Sequence, residues 1–232
     1  MNTGDTAFMM ICAALVFFMT PGLAFFYGGL VRRKNVCNTI MACVAIMGLS
    51  VVMWTLFGYS LSFGGNHAGI IGDFRWFGLN GVGMEAGPYA DSIPHLVFCA
   101  FQMMFAMITP ALITGSLVGR MKFKALFLFV AIWSVIVYYP MAHMVWGDGG
   151  FLAAIGSVDF AGGDVVHISS GISALVLAII LGRRRGYEHT TYRIHNIPSV
   201  VLGASLLWFG WFGFNAGSAL KADGLAAHAF MT

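Results

Sequence analysis

Residues 7–30 read AFMMICAALVFFMTPGLAFFYGGL, a run of 24 residues without a charged side chain. The hydrocarbon core of a bilayer is about 30 Å thick, and roughly 20 apolar residues in a helix cross it. Backbone groups inside a bilayer must find partners within the protein, which a helix provides. The run therefore predicts a membrane-spanning helix. It is too long for a signal peptide and no basic residue precedes it, so we expect it to be retained.

Five further runs share this length and apolar character. Alternating strands of about ten residues, the pattern of a membrane barrel, are absent. The sequence therefore predicts an all-α membrane protein with helices at about residues 7–30, 37–63, 93–119, 125–146, 160–182 and 197–220. Residues 221–232 look like a polar turn and the start of another helix, so we expect a truncated chain.

The composition excludes most other classes of protein. Hydrophobic residues make up 59% and charged residues 9% of the 232 positions, whereas soluble domains carry about 25% charged residues. So few charges could not form a solvated surface, which excludes a soluble enzyme, a nucleic-acid-binding protein, a disordered regulator and a disulfide scaffold. The four cysteines lack metal-type spacing, and the sequence predicts neither a metal nor a cofactor.

Basic residues indicate the orientation of the helices, because Lys and Arg concentrate in short loops on the cytoplasmic side. Three follow the first helix, three the third and four the fifth, which is ten of the 12 basic residues; of the acidic residues, only Glu188 lies with them. We therefore predict a protein of the inner (plasma) membrane with its N-terminus outside. The ten residues are Arg32, Arg33, Lys34, Arg120, Lys122, Lys124, Arg183, Arg184, Arg185 and Arg193.

The most informative polar residues begin the fifth helix, which reads DFAGGDVVH over residues 159–167. An ionisable group at membrane depth costs at least about 2.5–3.5 kcal/mol and so indicates a functional site. Asp159 is placed to accept hydrogen bonds from free N–H groups at the helix start, and His167 could take or pass a proton. The alternative is a core histidine bonded to a neighbouring helix. The Asp-Gly-Gly sequence at the start of the helix favours the functional interpretation of His167 over the structural one.

Aromatic residues form a second candidate site. Phe101 and Phe105 share one face of the third helix, and Trp146 ends the fourth. The sixth helix adds further rings, among them Trp211 and Phe214. Aromatic faces attract ammonium-type cations by about 0.5–2 kcal/mol, and rings can also close pores. Spacing alone favours ordinary membrane packing, and the glycines between the rings predict close helix contacts.

Two uncharged polar residues lie near these rings. Ser218 follows Phe214 by one turn and offers a hydroxyl group, and Gln102 is an amide in the middle of the third helix. Either side chain could bind a solute or satisfy a neighbouring group. A membrane serine most often bonds the carbonyl four residues before it.

These residues and their motifs resemble the ammonium transporter (Amt/Mep/Rh) superfamily, most closely its bacterial Amt branch. The resemblance runs nearly end to end. It is carried by PGLAFFYGGL at residues 21–30, AHMVWG at 142–147, DFAGG at 159–163, VVH at 165–167 and GWFGFNAGSA at 210–219. The fold implied is an ammonium-transporter-like helical bundle of eleven helices, of which this chain holds the first half of an inverted repeat and the following helix.

The resemblance also implies a role for each matching residue. Phe105, Trp146 and Ser218 match an outer vestibule that binds ammonium, and Phe105 with Phe214 matches the stacked pair that closes the pore. Asp159 matches a buried carboxylate near the ammonium site, and His167 the first of two pore histidines bonded to each other. Residues matching positions around the vestibule and gate are Phe101, Ala161 and Trp211.

The function implied is transport: ammonium is recruited, deprotonated and passed through a hydrophobic, histidine-lined pore. A homotrimer in the lipid bilayer with one pore per subunit is implied as well. The second histidine and a C-terminal tail that contacts a PII-type regulator in relatives would lie beyond this chain.

Three alternatives compete with transport. An Amt-like sensor domain of a signalling protein would share the vestibule residues. An intramembrane enzyme is disfavoured, since the sequence has no HExxH motif, and Ser169 and Ser170 follow His167 too closely to suggest a nucleophile elbow. The pairing of Asp159 with His167 weakens a purely structural membrane subunit.

Overall fold

Six helical segments long and apolar enough to cross a membrane make up the computed structural model, which describes residues 1–184, 186–189 and 191–232. The prediction of a helical membrane bundle is confirmed, and the chain is a multi-pass membrane protein. The segments are Thr3–Leu30, Arg33–Phe63, His95–Leu117, Phe123–Ala154, Gly163–Leu181 and Ile197–Gly217.

Three of the six segments are single uninterrupted α-helices, and the others contain π turns or shorter helices. Helix α1 (Thr3–Leu30) continues through Pro21, and helix α4 (His95–Leu117) continues through Pro110. Wider π turns over Trp54–Gly58, Ser134–Tyr138 and Gly163–Ile168 join or begin other helices. The helices are α1 Thr3–Leu30, α2 Val36–Met53, α3 Tyr59–Phe63, α4 His95–Leu117, α5 Phe123–Trp133, α6 Tyr139–Trp146, α7 Phe151–Ala154, α8 Ser169–Leu181, α9 Ile197–Gly217 and α10 Gly224–Met231.

A short antiparallel ribbon, absent from the sequence-based prediction, precedes α4. Strand β1 spans Ala86–Gly87 and β2 spans Ala90–Pro94. The predicted third helix began at Ile93, but α4 begins at His95 because the residue before a proline avoids helical geometry. We call this end of the bundle the ribbon end.

Close packing of α1 against α9 follows from small residues. A Cβ atom on Gly203 would lie 2.3 Å from the backbone nitrogen of Phe26, and one on Gly210 would lie 2.0 Å from Cγ of Met19. The predicted use of glycines at helix contacts is therefore confirmed for this pair. Helix α9 is held against the bundle at a distance that larger residues would not permit.

Basic residues cluster at the opposite end, which we call the basic end. Arg120 donates to the carbonyl oxygen of Gly182 at 2.7 Å and also to that of Ser116, so one guanidinium group ties the end of α4 to the end of α8. Arg32 and Arg184 both lie over the ring of Tyr192, at 4.4 and 4.5 Å. Arg185 lies outside the described residues.

Candidate functional site

A cavity of about 320 Å³ opens at the ribbon end. Its wall is mainly aromatic and comes from segments far apart in the sequence. Three of the predicted vestibule residues, Phe105, Trp146 and Ser218, lie in this wall. The remaining wall residues are Phe63, Tyr89, Phe98, Gln102, Val145, Phe160 and Leu220.

A series of rings leads from the cavity into the bundle. Trp146 meets Phe105 edge-on, with centroids 5.8 Å apart and planes at 90°. Phe105 then packs against Phe214 at 4.4 Å and 33°, and both rings are at least 98% buried. Phe101 adds an edge contact to Phe105 at 4.9 Å, as their shared helix face predicts. Phe105 lines the cavity, and its contact with Phe214 continues the aromatic surface into the buried core.

His167 follows Phe214 in this series of rings. Its imidazole centroid is 6.0 Å from that of Phe214 and 6.4 Å from that of Trp211. The π turn Gly163–Ile168 carries it, and its side chain is exposed in this chain. The structure thus arranges Trp146, Phe105, Phe214 and His167 in that order.

Asp159 fixes the start of the fifth membrane segment, in the manner that the sequence predicts for a capping residue. One carboxylate oxygen accepts hydrogen bonds from the backbone N–H of Gly162 and Gly163, and the other from those of Asp164 and Val165. Charge-assisted bonds of this kind are about twice as strong as neutral ones. The π turn that carries His167 is therefore attached directly to this carboxylate.

Asp159 also contacts the cavity wall through its backbone. Its carbonyl oxygen accepts the indole N–H of Trp146 at 2.9 Å. Neither Asp159 nor Ala161 lines the cavity itself, so the structure separates these two from the other predicted vestibule residues. Their predicted part in substrate binding stays a prediction.

The polar groups of the cavity wall are mostly engaged as donors. Trp146 Nε1 donates to Asp159, the hydroxyl of Tyr89 donates to the carbonyl of Phe63 at 2.8 Å, and the hydroxyl of Ser218 donates to the carbonyl of Phe214 at 2.9 Å. Ring faces, the lone pairs of Ser218 Oγ and the unpaired carbonyl oxygen of Gln102 remain. Such a wall suits a cation that itself donates hydrogen bonds.

Sequence reasoning singled out four of the ten wall residues and missed the other six. Tyr89 and Phe98 stack at 5.2 Å with planes only 6° apart, and Phe63 packs edge-on against both. Tyr89 lies between the two ribbon strands, where no periodic pattern marks it. The only signal was the presence of aromatic residues in a polar connection.

The described residues contain no group of three or more His, Cys, Asp or Glu side chains placed to hold a metal ion. Of the cysteines, Cys12, Cys43 and Cys99 are buried, whereas Cys37 is exposed in the first turn of α2.

Comparison with known sequences identifies close relatives. The sequence model of the Ammonium Transporter Family matches residues 7–232. An ammonium transporter of Bacillus subtilis is 52% identical over 231 residues, which cover 100% of this chain and 56% of that protein. One of Aquifex aeolicus is 50% identical over 236 residues, covering 100% of this chain and 54% of that protein.

Solved structures agree with the sequence matches. The crystal structure of Saccharomyces cerevisiae Mep2 matches with a TM-score of 0.86 at 36% identity, over 100% of this chain and 53% of that one. A structure described as a sensor Amt protein matches with a TM-score of 0.87 at 30% identity, over 98% and 57%. The chain spans about half the length of the curated relatives it matches. Over that length, its sequence and its fold agree: the chain belongs to the ammonium transporter family.

Proposed function

We propose that this chain captures ammonium and forms the outer gate of a path that carries it across a membrane. The observation that supports this most directly is the order of groups: an aromatic cavity, the Phe105–Phe214 ring pair, and His167 beyond it. A bound cation meets ring faces and the acceptor lone pairs of Ser218. Family membership supports the same substrate, because the matched relatives are named ammonium transporters.

The chemistry separates ammonium from a metal ion of similar size. Ammonium can donate four hydrogen bonds and can lose a proton to become neutral ammonia, whereas potassium can do neither. Cation–π attraction of about 0.5–2 kcal/mol per ring holds the ion in the cavity. The dry ring pair then admits ammonia more readily than a charged ion, because desolvating a charge is costly. We assign the proton that ammonium loses at the ring pair to His167, which accepts it as ammonia crosses and passes it on, so that ammonia and the proton leave on the same side.

Asp159 serves this path as a positioning residue. Its carboxylate orients the turn that carries His167, and its carbonyl orients Trp146. A direct part for Asp159 and Ala161 in binding ammonium remains a proposal that rests on the family resemblance. Phe101 and Trp211 complete the gate by packing against Phe105 and His167 respectively.

Proteoliposomes containing the complete protein test the proposal. We expect an ammonium pulse to evoke a saturable current that potassium does not evoke. Trp146→Leu removes the ring face and should raise the half-saturating ammonium concentration about tenfold. Trp208→Leu is the matched control, because Trp208 is 71% exposed and lies outside the cavity. No ammonium current and no ammonium binding in the wild type would overturn the proposal.

A sensor is the second candidate, since one matched structure is described as a sensor Amt protein. The same measurements separate the two functions. Saturable ammonium binding without current would favour the sensor, whereas current with the expected Trp146→Leu shift favours transport.

We further propose that the protein lies in the plasma membrane, the inner membrane of the cell, with the ribbon end and the N-terminus outside. The distribution of basic residues supports this orientation. Cys37 offers a test, because it is exposed near the basic end. A membrane-impermeant maleimide should label it in inverted vesicles and not in intact cells, and Cys37→Ala should abolish that label. Labelling of Cys37 in intact cells would contradict the proposed orientation and support the opposite one.

A homotrimer and a contact with a PII-type regulator are proposals that rest on the family resemblance. Native mass spectrometry of the complete protein tests the first, with three copies expected. Co-purification with a PII-type protein tests the second. A monomer or a dimer would contradict the trimer.

A further inference from the structure

Gln102 is a polar residue in an otherwise aromatic wall. It lies on α4 one turn before Phe105 and lines the cavity together with Trp146 and Ser218. The residue is only 9% exposed, and its carbonyl oxygen Oε1 is buried without a hydrogen bond to any described residue. Buried polar atoms in proteins nearly always have a partner, because leaving one unpaired costs free energy. Its place in the wall therefore points to a partner that enters from the cavity.

The Gln102 amide can turn toward such a partner. Rotation about the terminal torsion of a glutamine side chain is broad and roughly two-fold, and a half-turn exchanges the carbonyl oxygen with the amide nitrogen. No described group donates a hydrogen bond to Oε1. Exchanging the two ends therefore breaks no hydrogen bond to Oε1 within the described part of the chain.

We propose that Gln102 determines specificity by turning Oε1 into the cavity and accepting one N–H of a bound ammonium ion. Ser218 Oγ, whose own hydrogen is committed to the carbonyl of Phe214, accepts a second N–H. The faces of Phe105 and Trp146 meet the remaining positive surface of the ion. This inference rests on the proposed function, because it assigns a residue to the same cavity.

The arrangement distinguishes ammonium by its hydrogen-bond donors. Two acceptor oxygens beside ring faces replace part of the water shell of an ion that donates hydrogen bonds. A potassium ion gains only two oxygen contacts there and loses the rest of its shell. Because Gln102 lies on the cavity side of the ring pair, it acts on capture of the ion and not on passage beyond the gate.

Steady-state currents from the complete protein in proteoliposomes test this role. Gln102→Met keeps the approximate side-chain volume and removes the acceptor, so the half-saturating ammonium concentration should rise about tenfold while the maximal current stays within about twofold. Gln102→Glu restores an acceptor oxygen at the same reach, so its half-saturating concentration should return to within about threefold of the wild type. A merely structural role would lower the maximal current and would not be rescued by glutamate.

Ser116→Ala provides the control on the same helix. Its hydroxyl bonds the carbonyl of Ile113 and lies outside the cavity, so the half-saturating concentration should not change. If the wild type conducts ammonium and Gln102→Met has the same half-saturating concentration, the role of Gln102 is overturned and the transport proposal stands. If the wild type neither binds nor conducts ammonium, the role of Gln102 and the transport proposal are both overturned. If Gln102→Met does not fold, Gln102→Glu decides, and a loss of ammonium affinity of tenfold or more in it overturns the inference.

Discussion

The two sides of the Phe105–Phe214 ring pair differ in how far this chain encloses them. On the cavity side, Gln102 is 9% exposed and the wall closes with residues from several helices and the ribbon. On the other side, His167 is exposed and Trp211 is 38% exposed. The same two rings therefore lie between an enclosed cavity and a histidine with an open flank.

This difference assigns the two steps of the proposed function to different parts of the protein. Capture depends on residues that this chain supplies, whereas passage past His167 requires a second wall. Exposed apolar side chains lie on α8 and α9, the helices next to His167 and Trp211. In a membrane, lipid, another segment or another copy must cover them. They include Ile172, Leu175, Ile179, Ile180, Val201, Leu202 and Trp208.

Replacing Asp159 should have the largest effect, since this residue connects both sides. Asp159→Ala leaves four backbone N–H groups without their carboxylate, so we expect the free energy of unfolding to fall by about 3–5 kcal/mol. Ammonium current should be lost as well, because the turn carrying His167 loses its anchor. Thermal unfolding in detergent and the proteoliposome current measure the two effects.

Asp164→Ala is the matched control for Asp159→Ala. The Asp164 carboxylate accepts only the hydroxyl of Ser157 at 2.9 Å among the described hydrogen bonds, so its removal should cost about 1 kcal/mol. Equal losses of stability in the two variants would contradict the anchoring role of Asp159.

Replacing Gly203 should have the next largest effect. The Cβ of Gly203→Ala would meet the Phe26 backbone at 2.3 Å, and backbone can yield only if α1 and α9 separate. Overpacking costs about 1–3 kcal/mol, and we expect the upper end of that range. Gly171→Ala is the control, because its Cβ would meet nothing within 4 Å. A stable Gly203→Ala variant would show that α9 is free to move, and the ring pair with it.

Local features of the site could be predicted from the sequence. The bonds of the Asp159 carboxylate reach only as far as Val165, so the Asp-Gly-Gly pattern was sufficient to predict them. The contact of Phe101 with Phe105 follows from helical spacing in the same way. Helical segments were predicted because apolar length is read directly from the chain.

Features that depend on the tertiary fold could not be predicted. Tyr89 reaches the cavity only because the ribbon folds back over α3 and α4, and its stacking on Phe98 has no sequence period. Spacing alone favoured plain packing for the rings, so the Phe105–Phe214 contact came from the family resemblance and not from a pattern. The unpaired oxygen of Gln102 is visible only when every neighbour is placed.

Phe214→Ala tests whether the ring pair is the boundary between the two sides. Phe214 packs against Phe105 and His167, and each such aromatic pair contributes about 0.5–1.5 kcal/mol. We therefore expect stability to fall by roughly 1–3 kcal/mol and potassium to leak through the opened gate. Potassium flux into proteoliposomes measures the leak. Phe230→Ala is the control, because Phe230 is 48% exposed and packs only on Phe212 among the described rings. An equal potassium leak in Phe230→Ala would show that the Phe105–Phe214 pair is not the gate.

His167→Ala should change stability least. It gives the most direct test of whether the cavity and His167 serve different steps. In this 232-residue chain measured by itself, where the side chain is exposed, the free energy of unfolding should change by less than about 0.5 kcal/mol. Binding of ammonium in the cavity should stay within about twofold, while transport falls at least about 100-fold if the imidazole handles the proton. His67→Ala, an exposed histidine of the loop after α3, should change neither. Because the imidazole lies beyond the rings, a His167→Ala variant that lost affinity and flux together would mean that capture and passage share one site.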